Sequence, residues 1–219
     1  MGAGALPLDQ HRGRPPIPIV PVDARARADA LARGADEYAA WLAAVTNRPG
    51  RRVIDTADVD VLRTTLAARR DAAGMSVGEV ALAVDTGRAR AASAAADGAG
   101  VLVARAPAGR DETAARALAD DLTGATAPVA NGPLGALRRL GDATTAVLCG
   151  VALGAGEHGL GCVCDGLAAL AGAAVAAAIE PDLRPRLIAV RAPADPAHGA
   201  LAAHLLIATI PGADGAARA

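Results

Sequence analysis

Leu160-Gly161-Cys162-Val163-Cys164-Asp165-Gly166-Leu167 is the stretch that decides the fold. Its apolar residues read as a short buried strand, Asp165-Gly166 as a sharp turn, and the Ala-rich run after Leu167 as a small-residue helix. Further on, Leu187-Ile188-Ala189-Val190-Arg191 reads as a second strand, and Ala194-Asp195-Pro196-Ala197-His198 opens another helix near Pro196. Strand–turn–helix units that alternate in this way argue for a parallel sheet covered by helices.

Composition narrows the chemistry. The 219 residues suffice for one sizeable core or two small domains. The net charge of −1 gives no global attraction to nucleic acid or anionic lipid. Every basic residue is Arg and none is Lys, which excludes a Schiff-base or Walker-type lysine mechanism. Tyr38 and Trp41 are the only aromatic residues, so stacking platforms for single-stranded nucleic acid are not expected. A core of Ala, Val, Leu and Gly packs helices closely but buries little area per residue, which predicts modest stability for the size.

The amino-terminal residues 1–20 carry Arg and Pro and no apolar run of signal-peptide length, so a cytoplasmic protein is expected. Residues 145–179 are apolar, but Glu157, His158 and Asp165 interrupt them, and a buried helix–strand–helix fits better than a membrane span. Cys162 and Cys164 alternate to one face of a strand. With Cys149 they read as buried thiols rather than zinc ligands, and neither metal nor cofactor is expected.

Residues 1–18 read as a disordered leader and 19–219 as a single domain, helical over 19–98 and α/β over 99–210. Within the helical part, Asp23 to Val45 has helical periodicity, and Arg52-Val53-Ile54 reads as a short strand followed by a helix over Asp58–Asp71. Ser76, with Glu79 three residues later, is a capping-box signature for a helix running to Asp97-Gly98. Val101-Leu102-Val103 reads as a strand, Asp111–Leu122 as a helix closed by Thr123-Gly124, and Leu134–Leu153 as one long helix or a pair. Gly154-Ala155-Gly156-Glu157-His158-Gly159 spells G-x-G-x-x-G, yet the helix precedes the glycines and the strand follows them. A dinucleotide site needs the reverse order, so a helix C-cap and turn is the reading.

Several of these segments, taken in order, resemble the nicotinate-nucleotide:dimethylbenzimidazole phosphoribosyltransferase family. The strand into Asp165-Gly166, the turn Ala194-Asp195-Pro196-Ala197-His198 (Ala-Glu-Pro-Gly-His in the family) and the stretch from Pro133 to Gly150 carry the resemblance. Pro21-Val22-Asp23, Tyr38 to Ala43, and Met75 to Thr123-Gly124 extend it towards the amino terminus. The resemblance implies a three-layer α/β fold, a small, mostly parallel Rossmann-like sheet flanked by Ala-rich helices, and a homodimer. It also implies a small-molecule nucleotide or benzimidazole ligand, with no nucleic-acid and no membrane partner.

The departures concern the chemistry. The family's Gly-Glu-Met-Gly-Ile-Gly-Asn-Thr-Thr loop falls on Arg105–Thr113, so its glutamate becomes Ala106 and its Asn-Thr pair becomes Asp111-Glu112. Acidic residues there suit a helix dipole but repel phosphate, which Arg105 and Arg110 partly offset. The family's carboxy-terminal Gly-Glu-Gly-Thr-Gly puts Gly212 where its basic glutamate belongs, with Asp214 one methylene shorter. The family's Lys-Pro-Pro-Gly-Ser-Leu-Gly, Ala-Gly-Asp-His-Gly and Gly-Arg-Gly-Thr-Gly stretches have no counterpart.

The substrate-binding candidates are therefore Arg105, Arg110, Thr113, Asp165, Gly166, Arg191 and His198, with no catalytic residue assigned. Asp165 is either a ligand-facing carboxylate or the cap of the next helix, and His198 either faces the same cleft or bonds within its own first turn. Asp120-Asp121 and Arg138-Arg139 read as solvated helix faces. The expectation is a divergent relative with transfer activity lost or altered. An active phosphoribosyltransferase and a non-catalytic interaction subunit are the two other readings.

Overall fold

The computed structural model describes residues 53–55, 74–106, 112–125, 132–190, 195–206 and 208–210, the first and last of these as backbone only. Calls that fall elsewhere, including the leader, the Asp23–Val45 and Asp58–Asp71 helices, Arg110 and Arg191, lie outside the described residues. Strand β1 is Val53–Asp55, followed by helix α1, Val77–Ala96, and β2, Val101–Arg105. Three helices then run in succession: α2, Thr113–Leu122; α3, Gly132–Leu140; and α4, Ala143–Glu157. The chain continues through β3, Gly161–Asp165; α5, Leu167–Ile179; and a 3₁₀ helix, Pro181–Arg186. It closes with β4, Leu187–Val190; α6, Pro196–Leu205; and β5, Ala208–Ile210.

The five strands are all parallel and pair in chain order, β1-β2-β3-β4-β5. The register aligns Leu102 with Cys162 and Cys162 with Leu187, and likewise Ala104 with Cys164 and Cys164 with Ala189. Those six residues form the face that joins the helices in one core cluster. The alternate residues Val101, Val103, Val163, Ile188 and Val190 are buried as well, as the middle layer of a three-layer α/β fold requires.

Helix boundaries follow local chemistry. Ser76 and Glu79 make the reciprocal capping box at the start of α1. Asp142 caps α4 through Thr145, whose N–H and hydroxyl donate to its Oδ1 at 2.8 and 2.9 Å. Helices α1, α2 and α4 end in Gly98, Gly124 and Gly159 at positive φ. In each, the N–H groups of the glycine and its successor bond back to carbonyls in the last turn of the helix. The literal G-x-G-x-x-G is thus the end of α4: Gly154 and Gly156 lie within the helix and Gly159 closes it. The stretch expected as one helix or a pair is a pair, broken at Gly141-Asp142.

Small residues let the helices approach closely. A Cβ on Gly150 of α4 would lie 2.0 Å from the Val84 carbonyl oxygen of α1, and one on Gly87 of α1 would lie 2.1 Å from that of Val147. Gly172 of α5 is similarly close to the α4 backbone at Cys149. Arg88 of α1 closes this seam with a 2.9 Å ion pair to Glu157 of α4. The three thiols are free and buried. Burial holds Cys149 up at about 12, and hydrogen bonding to Cys162 together with burial holds Cys164 well above the ordinary thiol range.

Candidate functional site at the strand ends

In a parallel α/β sheet the carboxyl ends of the strands and the amino ends of the helices share one rim, where ligands bind. Arg105 ends β2 and Asp165 ends β3, and the register makes them direct neighbours. Asp165 is 6% exposed. The Asp165-Gly166 turn leads directly into α5, with Gly166 at its N-cap. At φ 92° and ψ 167°, Gly166 occupies a region that residues with a Cβ avoid.

Gly166 offers α5 no side-chain cap. The nearest heavy atom to a Cβ built on it is Oε1 of Glu112, at 3.9 Å. A carboxylate therefore stands beside the positive end of α5, where backbone N–H groups would otherwise be open to an anion. Glu112 is also the N-cap of α2, whose first residue, Thr113, is exposed.

Helix α6 adds the third part. Asp195 is its N-cap and accepts from the Ala197 N–H at 3.0 Å. Both Asp195 oxygens also take the guanidinium of Arg116 from α2, each at 3.0 Å, in a fork-to-fork pair. The hydrogen bond from Arg116 holds the Asp195 carboxyl below the usual carboxylate range, with the backbone N–H groups of Ala197 and His198 acting the same way. Arg116 was not a sequence candidate. It lies 79 residues from its partner, and no local pattern marks it.

His198 is 2% exposed, and its buried Nε2 has no hydrogen-bond partner. The local-bonding reading therefore fails for that nitrogen. Burial lowers the imidazole pKa, and the charges of Asp195 and Asp165 only partly counter this. Asp121, read as solvated, is 9% exposed, and only its neighbour Asp120 is more open. The rim thus gathers Arg105, Glu112, Asp165, Gly166, Asp195 and His198, with the exposed Thr113 next to Glu112.

With the rim in place, similarity to known proteins bears on it directly. Residues 125–212, which include β3, α5, β4 and α6, match a family described as phosphoribosyltransferase. Over these residues the chain is similar to that family. A nicotinate-nucleotide-dimethylbenzimidazole phosphoribosyltransferase from Thermus thermophilus is 28% identical with a TM-score of 0.56, covering 63% of this chain. This chain spans about half, 48%, of that enzyme's length. A CobT structure, also from Thermus thermophilus, shares the fold, with a TM-score of 0.63, 22% identity and 80% of each chain covered. No curated protein matches the chain. Among the described residues, no helix is long and apolar enough to cross a membrane, and no group of His, Cys, Asp or Glu is placed to hold a metal ion.

Proposed function

We propose that this phosphoribosyltransferase relative no longer transfers a phosphoribosyl group from nicotinate mononucleotide to dimethylbenzimidazole, and that its strand-end rim serves as a binding site for a ligand without phosphate. The observation that carries this reading is the Glu112 carboxylate beside the amino end of α5. A phosphate held there would meet like charge instead of open N–H groups. The sequence supports the same reading, with Ala106 and Gly212 standing where the family resemblance expects glutamates. Arg105 and Arg116 are the rim's described cations, and Arg116 is already committed to Asp195.

The test incubates purified protein with nicotinate mononucleotide and dimethylbenzimidazole and follows nicotinate release. No release above the protein-free control is expected, and nicotinate mononucleotide should not raise the melting temperature. A nucleotide held at one hundred times its dissociation constant would add about 2.7 kcal/mol, so binding would be plainly visible. Nicotinate release that falls on substitution of Asp165 would establish an active transferase and overturn the proposal. The family resemblance carries further expectations: a cytoplasmic homodimer, read by light scattering at twice the chain mass, and a single domain over residues 19–219 that resists limited proteolysis as one unit.

A further inference from the structure

We propose that Nε2 of His198 is a ligand-binding atom that takes an uncharged hydroxyl group. This rests on the reading of the rim as a phosphate-free binding site. Burying a polar nitrogen without a partner costs on the order of 1–3 kcal/mol, so a ligand group or a water that bonds to it recovers that cost. His198 sits in the first turn of α6, directly after the Asp195 cap, on the same rim as the end of β3. His198 and Asp165 come from adjacent strand–helix units, because β3, which Asp165 ends, pairs with β4, which leads into α6.

The chemistry of the missing partner follows from its surroundings. Glu112, Asp165 and Asp195 disfavour an anion at this rim, and Arg105 and Arg116 stand beside two of those carboxylates, which disfavours a cation. An uncharged group remains. A hydroxyl meets Nε2 in either imidazole tautomer, accepting from Nε2–H or donating to the bare nitrogen. A ring nitrogen that only accepts fits one tautomer alone.

The experiment compares two probes, the ribonucleoside α-ribazole and free dimethylbenzimidazole, which lacks hydroxyl groups. The ¹⁵N resonance of His198 Nε2, assigned by its absence from the His198→Leu spectrum, should shift with α-ribazole and stay in place with the free base. His198→Leu should weaken α-ribazole binding about tenfold, the loss of one hydrogen bond. It should also raise the melting temperature of the free protein, because the unmet polar atom is gone. An unmoved wild-type resonance overturns the proposal, and His198→Gln supplies the assignment if His198→Leu does not fold. Equal α-ribazole affinity in the variant, or a shift produced by the free base as well, overturns it too. Nicotinate release in the transfer assay would refute only the loss of transfer and leave the His198 result to stand or fall separately.

Discussion

Replacing Gly150 with alanine tests the claim that glycine sets the distance between α1 and α4. The added Cβ would lie 2.0 Å from the Val84 carbonyl oxygen, 2.8 Å from its carbon and 2.9 Å from the Val84 Cα, all main-chain atoms. A carbon–oxygen contact relaxes at about 3.3–3.6 Å, so α1 must withdraw by more than an ångström along this seam. That withdrawal also opens the contacts around Gly87 and the fully buried Ala83 and Ala91. Alanine favours the helical state by about 1 kcal/mol relative to glycine, whereas overpacking costs about 1–3 kcal/mol or more, and the opened seam forfeits dispersion contacts as well. The balance is a net loss of about 2 kcal/mol, or a melting temperature lower by about 4–8 °C for a chain of this size. Urea unfolding followed by far-ultraviolet circular dichroism reads it, with Gly199→Ala as the reference. Gly199 lies in α6 with nothing within 4 Å of its added Cβ, so that variant should gain about 0.5–1 kcal/mol. If Gly150→Ala matches Gly199→Ala in stability, the close-approach argument is wrong.

The remaining predictions concern the rim and the caps. Gly166→Ala forces a Cβ into a glycine-only backbone region and should cost about 1–3 kcal/mol in the same urea assay, whereas an unchanged midpoint would mean that the turn relaxes freely. Asp195→Ala removes the α6 cap and the Arg116 fork, and the cap alone should cost about 0.5–2 kcal/mol. A double-mutant cycle with Arg116→Met should show coupling that shrinks in high salt. His198 has a folded pKa below its unfolded value, so the unfolded chain binds the proton more readily, and stability should fall as pH drops below about 6.5. His198→Leu should flatten that part of the curve; a wild-type profile that is already flat there would show that the imidazole is not held in a protonation-averse site. Asp195, with its folded pKa depressed, adds stability above the unfolded carboxylate pKa and loses it as pH falls further, through its folded value.

Features fixed by neighbouring residues were legible in the sequence. The Ser76–Glu79 capping box, the glycine closures at Gly98 and Gly124, the β3 strand into Asp165-Gly166 and the reversed order around Gly154–Gly159 all rest on contacts within a few positions. What the sequence concealed depends on distant partners. Arg116 acquires its role only when α2 and α6 meet at the rim, and Asp121 reads as a solvated residue until packing buries it. Nothing local marks Gly87 and Gly150, each of which faces the other helix's carbonyls. Strand β5 went unread, since its three residues, Ala208–Ile210, are too few to show a period.

The strict chain order of the sheet has a consequence for how such a domain tolerates change. Among the described residues each strand pairs only with its predecessor and its successor in sequence, so there a strand–helix unit at either margin touches one neighbour in the sheet rather than two. Trimming or remodelling an outer unit leaves the pairing of Val101–Arg105, Gly161–Asp165 and Leu187–Val190 as it was, with no strand left to be re-threaded. The interior three-strand block can therefore hold Arg105, Asp165 and the α5 amino end in fixed relation while the margins and connecting loops diverge. On such a scaffold, chemistry can be lost or replaced one loop at a time without loss of the fold.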